Sequence, residues 1–246
     1  MSGLLIAGLA VVMLGTAFLS GIFGMAGGMI LMGVLLAVLP LPAAMALHAV
    51  TQMASNAWRA VLWWKHIRWR PVGYFLVGNL AALALWSVFR WVPEKAVALL
   101  FLGLTPFLFR LIPSGVKPDP MRPAHGAAMG GLCMSLMLVS GVSGPLLDTF
   151  FLGGGMERRQ IVATKAVCQV AGHLSKLVYF GAMVADAAAL DPVMLALAIA
   201  ASMAGTTLAR RILEAMTDKQ FRTWADRVIT VIAVYYLGQG AWLLIG

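Results

Sequence analysis

Leu19-Ser20-Gly21-Ile22-Phe23-Gly24 returns as Val139-Ser140-Gly141-Val142-Ser143-Gly144, 120 residues further along the chain. A second stretch, His48-Ala49-Val50-Thr51-Gln52-Met53-Ala54 with Arg59 following, returns as Lys165-Ala166-Val167-Cys168-Gln169-Val170-Ala171 with Lys176 following, at an offset of 117. Pro93-Glu94-Lys95, just after Arg90, pairs with Thr217-Asp218-Lys219, just after Glu214, at an offset of 124. The order of the three segments is kept, so the chain reads as two diverged copies of one unit, 1–112 and 124–246, joined by a linker at 113–123. In a membrane protein such a duplication usually marks a transporter with its site between the copies.

Composition places the chain in a bilayer. With 61% hydrophobic and 11% charged residues and a mean hydropathy of +0.91, it cannot cover itself with a polar surface in water. Apolar stretches near 3–19, 43–64, 71–91, 95–112, 124–140, 160–184, 190–209 and 219–245 have lengths suited to spanning, since about 20 helical residues cross the hydrocarbon core. Two shorter ones, 29–39 and 145–152, do not reach across alone. The net charge of +9 does not point to nucleic acid, because the basic residues sit in short loops beside the spans, where they set topology. The apolar start has no Lys or Arg before it and runs straight into a repeated motif, so no cleavable signal peptide is expected. Cys133 and Cys168 lie in apolar segments and match no metal or redox spacing. They read as packed thiols, and neither disulfide, metal nor cofactor is expected.

Charge placement orients the copies. Lys65, Arg68 and Arg70, then Arg110, Lys117 and Arg122, then Arg158 and Arg159, then Arg210, Arg211, Lys219 and Arg222 mark four basic connections that should be cytoplasmic. The loops at 91–94 and 185–191 face outward. Equivalent spans then point in opposite directions, and the stretch 124–155 must leave and return to the same face. The expected fold is all-α: a polytopic transmembrane helical bundle of two inverted repeats, each a helical hairpin with a short second limb followed by three spans. The expected location is the bacterial inner membrane, with both termini outside.

Each hairpin bends at glycines, Gly21, Gly24, Gly27 and Gly28 in the first copy and Gly141 and Gly144, before Pro145, in the second. Glycines of this kind either let helices pack closely or unwind the backbone, and the exposed N–H groups of a short helix attract anions. The helices after the hairpins carry a clearer pattern. His48, Thr51, Gln52, Ser55, Asn56 and Arg59 fall at spacings of three and four, on one stripe; the corresponding stripe is Lys165, Cys168, Gln169, Gly172, His173 and Lys176. A charge at the bilayer centre costs ~2.5–3.5 kcal/mol even on insertion scales, so these residues should face a cavity or a partner.

Because the two helices run oppositely, each vestibule receives cationic groups, while Gln52, Ser55 and Asn56 come opposite Gln169 and His173 near the midplane. That pattern suits a small anion. Arg59 and Lys176 read either as gating or charge-coupling groups or as side chains that snorkel to the surface, and His48 as a ligand or a packed hydrogen-bond donor. Asp148, in the short second limb, either neutralises Lys165 or Lys176 or carries a coupled proton; it has no acidic counterpart in the first hairpin.

The glycine-rich break after the first span, the Ser55-Asn56 pair, the Thr164-Lys165 pair of the second copy and the basic loop after 43–64 together resemble the TauE/SafE sulfite-exporter family. The resemblance covers nearly the whole chain and implies a secondary carrier of sulfur-containing anions such as sulfite, sulfoacetate and other sulfonates. The chain departs from the pattern in the interrupted run Gly24-Met25-Ala26-Gly27-Gly28, in Gly172-His173 where Ser-Asn would stand, and at His48, where the family often has a small or hydroxyl residue.

The expected partners are therefore a small anion, the lipid bilayer and a coupling proton or other ion, with a homodimer left open. Rival readings are an anion channel, a carrier of another carboxylate or inorganic anion, a transition-metal carrier and an intramembrane enzyme. Against the last, the chain has no His-Glu-x-x-His signature and no paired intramembrane aspartates.

Overall fold

The computed structural model describes residues 3–23, 26–111, 118–152, 156–181, 191–215 and 218–245. Among them the chain is all-helical. The order is α1 (Gly3–Phe23), α2 (Ala26–Val38), α3 (Leu41–Leu62), a short 3-10 turn (Trp64–His66), α4 (Trp69–Phe89), α5 (Lys95–Arg110), α6 (Pro123–Ser140), α7 (Gly144–Leu152), α8 (Arg158–Gly181), α9 (Pro192–Ala215) and α10 (Asp218–Ile245).

Proline opens α3 and α6 within the first turn, where its missing N–H would have had no helical partner. Gly141 ends α6 in the left-handed region at φ +82°, and a Cβ there would meet the sulfurs of Met32 and Met45, so this turn requires glycine.

The packing is symmetric under exchange of the two halves. Helix α1 lies on α9 and α4 on α6; α3 pairs with α8 and α5 with α10; α2 contacts α10 as α7 contacts α5. The α4–α6 pair runs parallel, since Tyr74 abuts Gly126, Asn79 abuts Gly130, and Trp86 Nε1 donates to Ser135 Oγ at 3.0 Å. The α1–α9 pair is built the same way, Gly205 closing on Leu14 and Phe18 while Gly21 closes on Thr206 and Ala209. Where both solvents are apolar, helices associate by such close backbone approach. The core α3–α8 pair is antiparallel: His48, early in α3, meets Lys176, late in α8, and Arg68, just past α3, donates its backbone N–H to Thr164 Oγ1, early in α8.

A Cβ on Gly130 would run into the Phe75 carbonyl and the Asn79 nitrogen, which are backbone and cannot move aside, whereas one on Gly73 meets nothing within 4 Å. Gly130→Val is therefore expected to lower stability by about 1–3 kcal/mol. Thermal unfolding in detergent checks it, with Gly73→Ala expected to unfold at the native temperature.

Apolar side chains cover the periphery as well as the core, and several polar ones are drawn inside. Leu4, Val88, Val231 and Trp242 are exposed on the periphery, while His48, Thr51, Asn79 and Lys176 are buried. Among the described residues five helices are long and apolar enough to cross a bilayer: Gly3–Ile22, Trp69–Phe89, Pro123–Ser140, Pro192–Ile212 and Arg227–Ile245. Sequence alone led to eight such spans. The other three differ for physical reasons: α3 and α8 are long enough but carry the polar stripes, and α5, with 16 residues, is shorter than a full span.

Three of the basic connections meet at one end of the bundle. The ring of Trp63 has the guanidinium carbons of Arg159 and of Arg210 each 5.7 Å from its centroid, beside the Arg68–Thr164 contact. Helix α6 starts level with the start of α4, which brings Arg122 to the same end. The outward loop expected at 185–191 falls, but for Asp191, outside the described residues.

Candidate functional site where the two polar helices cross

The spacing of three and four that placed the polar residues on stripes turns both stripes toward the α3–α8 contact, and all of their candidate residues are buried: His48, Gln52, Ser55, Asn56 and Arg59 from α3, Lys165, Gln169, His173 and Lys176 from α8. Neither Arg59, at 7% exposure, nor Lys176, at 0%, snorkels. At the end of the crossing away from the basic loops, His48 Nε2 donates to the Gly28 carbonyl at 2.9 Å, and Lys176 Nζ reaches His48 Nδ1 at 2.8 Å and the Gly141 carbonyl at 2.9 Å. The His173 ring lies 5.5 Å from that of His48.

At the opposite end Arg59 donates to the Ser20 carbonyl at 3.2 Å and to Asn56 Oδ1 at 3.3 Å, and the Lys165 ammonium pairs with the Asp148 carboxylate. Asp148 is also within electrostatic reach of Arg59.

These contacts correspond between the halves. Arg59 and Lys176, matched at the offset of 117, each donate to a carbonyl at the end of the opening helix of their own half. His48 and Lys165, also matched, bond to Gly28 and Asp148, which are matched at the offset of 120. The counterpart of the Asp148 carboxylate is thus a backbone carbonyl. Arg59, Lys165 and Lys176 bring three basic side chains to the crossing and Asp148 one carboxylate.

Several donors remain over. Gln52 Nε2 and His173 Nδ1 are buried without a hydrogen-bond partner, as are Ser20 Oγ and Asn79 Nδ2. An unmatched buried polar group costs ~1–3 kcal/mol, so each of these atoms calls for an explanation. The Gln52 amide lies over Gly28, 3.4 Å from where a Cβ would be.

Other candidates are placed differently from the sequence expectation. Gly21 sits within α1 and packs on α9 instead of forming the bend, and Gly27 lies in the first turn of α2 against Thr16 and Ser20; close approach of neighbouring helices accounts for both. Gly24 lies outside the described residues. Gly144 is buried at the start of α7. Ser55 shares a hydrogen bond of 2.7 Å with Thr206.

Donors and acceptors from α2, α3, α6, α7 and α8 meet one another directly at the crossing. A groove of about 320 Å³ lies between α3 and α9, lined by Val50, Met53, Ala57, Trp58, Ile199 and Met203, and it is apolar. Among the described residues no three His, Cys, Asp or Glu side chains cluster as metal ligands.

Sequence reading missed Asn79, which accepts from Ser175 Oγ at 2.7 Å. It also missed the carbonyls of Ser20, Gly28 and Gly141. The repeated Ser-Gly pair was the available signal for two of them, but a carbonyl partner has no side-chain signature.

A model of the family Sulfite exporter TauE/SafE matches residues 9–236. The chain belongs to the TauE/SafE sulfite exporter family. That match takes in both halves and every residue of the crossing. No curated protein and no solved structure matches. TauE/SafE membership together with the five apolar helices makes this a multi-pass membrane protein of a transporter family.

Proposed function

We propose that this TauE/SafE protein is a secondary transporter that moves a small sulfur-containing anion, sulfite or an organosulfonate such as sulfoacetate, by alternating access. Its site would lie near the midplane of the bacterial inner membrane, between two oppositely oriented repeats, with both termini outside. The observation that carries this reading is the set of buried basic side chains and unpartnered polar atoms where α3 and α8 cross: Arg59, Lys165 and Lys176 against the one carboxylate of Asp148, with Gln52 Nε2 and His173 Nδ1 still to be satisfied.

An oxyanion supplies acceptors for N–H groups there and the negative charge that the basic side chains lack. The antiparallel course of α3 and α8, and the exchange symmetry of the packing, support repeats of opposite orientation, in which rocking one half against the other would expose the crossing to each side in turn. Gln52, Asn56, Ser55, His48, Gln169, His173 and Lys165 would contact the anion with the Gly27–Gly28 and Gly144 helix starts. Arg59, Lys176 and Asp148 would balance charge.

Exchange of radiolabelled sulfite in liposomes tests this. Gln52→Leu and Gln169→Leu each remove an amide that would bond a charged ligand, worth about 1.5–3 kcal/mol, and are expected to cut exchange by about 10–100-fold without moving the unfolding temperature. Unaltered exchange in both variants rejects the site. Counterflow against a sulfite gradient separates a carrier from a channel.

A further inference from the structure

Two lysines stand at the α3–α8 crossing, and their surroundings differ in one respect. Lys165 has a carboxylate, Asp148. Lys176, completely buried, has none among the described residues; its two partners are His48 Nδ1 and the Gly141 carbonyl. The groups that face it are few. His48 comes from α3, His173 lies one turn away on α8 itself, and α6 offers only the carbonyl of Gly141. From α4 comes Asn79, which does not titrate and is held by Ser175. The thiols Cys133 and Cys168 sit in a separate apolar cluster with Phe75 and Phe150, and Tyr179, a turn beyond Lys176, gives its hydroxyl hydrogen to the Trp91 carbonyl at 2.7 Å.

The hydrogen-bond geometry limits this pair to one labile proton. The Gly28 carbonyl can only accept, so His48 carries its hydrogen on Nε2, and the neutral ring then presents the Nδ1 lone pair to Lys176. A neutral amine at Lys176 has two N–H bonds, and His48 Nδ1 and the Gly141 carbonyl use both. Protonation adds a third N–H and a full charge, for which the described residues supply no carboxylate. A buried charge without a counter-ion costs several kcal/mol. Either the proton leaves or an anion arrives.

We propose that the Lys176–His48 pair is a proton-binding site filled together with the transported anion, so that each anion is carried with one proton. This rests on the anion-transport reading above. As the anion enters, one proton passes from solvent to the Nζ–Nδ1 pair, and the third N–H of Lys176 faces the anion. As the anion leaves, the proton returns to solvent. Only an N–H bond is made and broken. Lys165 has its carboxylate in Asp148, whereas the substrate supplies the negative charge that Lys176 lacks.

Titration calorimetry of the purified full chain with thiosulfate, which does not itself titrate near neutral pH, in two buffers of different ionisation enthalpy, counts protons taken up. Expected is uptake of about one proton per thiosulfate bound, and an apparent Kd that rises about tenfold per pH unit where uptake is complete. Lys176→Arg keeps a permanent charge and is expected to bind thiosulfate with no uptake. Lys176→Met is expected to weaken binding at least about tenfold.

Binding by the wild type without proton uptake overturns the inference and leaves the transport reading standing. Uptake that persists in Lys176→Arg places the proton elsewhere and overturns it too. Failure of thiosulfate, sulfite and sulfoacetate all to bind overturns the transport reading itself. Should neither variant fold, the proton count of the wild type decides alone.

Discussion

Asp148→Asn is expected to cost about 2–4 kcal/mol of stability, toward the lower end of what breaking a buried ion pair costs, because the Asp148 side chain keeps 22% of its exposure and that of Lys165 9%. The loss does not come from the pair's attraction, which in a partly wet site is modest. It comes from stranding Lys165 beside Arg59 with no carboxylate between them. The decisive measurement is therefore the double variant. Lys165→Met together with Asp148→Asn removes the stranded charge as well, and is expected to recover most of the unfolding temperature lost by Asp148→Asn alone. If the double variant is as unstable as the sum of the two single ones, the residues are not coupled and the ion pair is not what holds α7 to α8. Sulfite exchange should fall in the double variant despite the recovered stability, since the crossing would then have lost a cation.

This prediction was half legible in the sequence. A carboxylate in a short apolar limb and a lysine inside a span need partners, and the pairing with Lys165 stood beside a pairing with Lys176 and a coupled-proton role. What composition could not choose was which lysine. Asp148 and Lys165 belong to the same half and meet as their counterparts Gly28 and His48 do, so the choice follows from hairpin geometry. The contact of His48 with Lys176 joins residues 128 positions apart, and depends on α3 and α8 running antiparallel.

The stripes themselves were plain, because a spacing of three and four in otherwise apolar chain has few other meanings. The basic loops likewise marked one end, and Trp63 between Arg159 and Arg210 shows three of them gathered there. Asn79 was illegible for the opposite reason: a single amide in α4 makes no pattern, and only the approach of Ser175 gives it significance. The glycines divided in a way that residue type cannot reveal. Gly21 and Gly27 take part in helix packing and Gly141 makes a left-handed turn, although Gly21 and Gly141 are matched positions of the same repeated motif.

Cross-linking α3 to α9 is expected to abolish net transport outright. Ser55 belongs to the first half and Thr206 to the second, and their hydroxyl oxygens lie 2.7 Å apart; one turn along, Trp58 Nε1 donates to Thr207 Oγ1 at 2.9 Å. Both contacts fasten the halves together on the flank of the crossing, so rocking one half against the other must break them. In Ser55→Cys combined with Thr206→Cys, the two sulfurs come within the reach of a disulfide. The native thiols, Cys133 and Cys168, are buried in a different cluster and should not compete.

The reduced double variant supplies the baseline, which removes any effect of the substitutions on anion binding. Oxidation should then eliminate sulfite uptake into liposomes, and reduction should restore it. A channel with the same cationic crossing needs no relative movement of the halves, so oxidised protein that still passes sulfite at the reduced rate would rule out alternating access between these repeats while leaving the anion site in place. Proton uptake on thiosulfate binding, by contrast, depends on the crossing alone. It should survive in the oxidised protein whenever the anion can still enter from one side, separating the chemistry of the site from the motion that delivers its cargo.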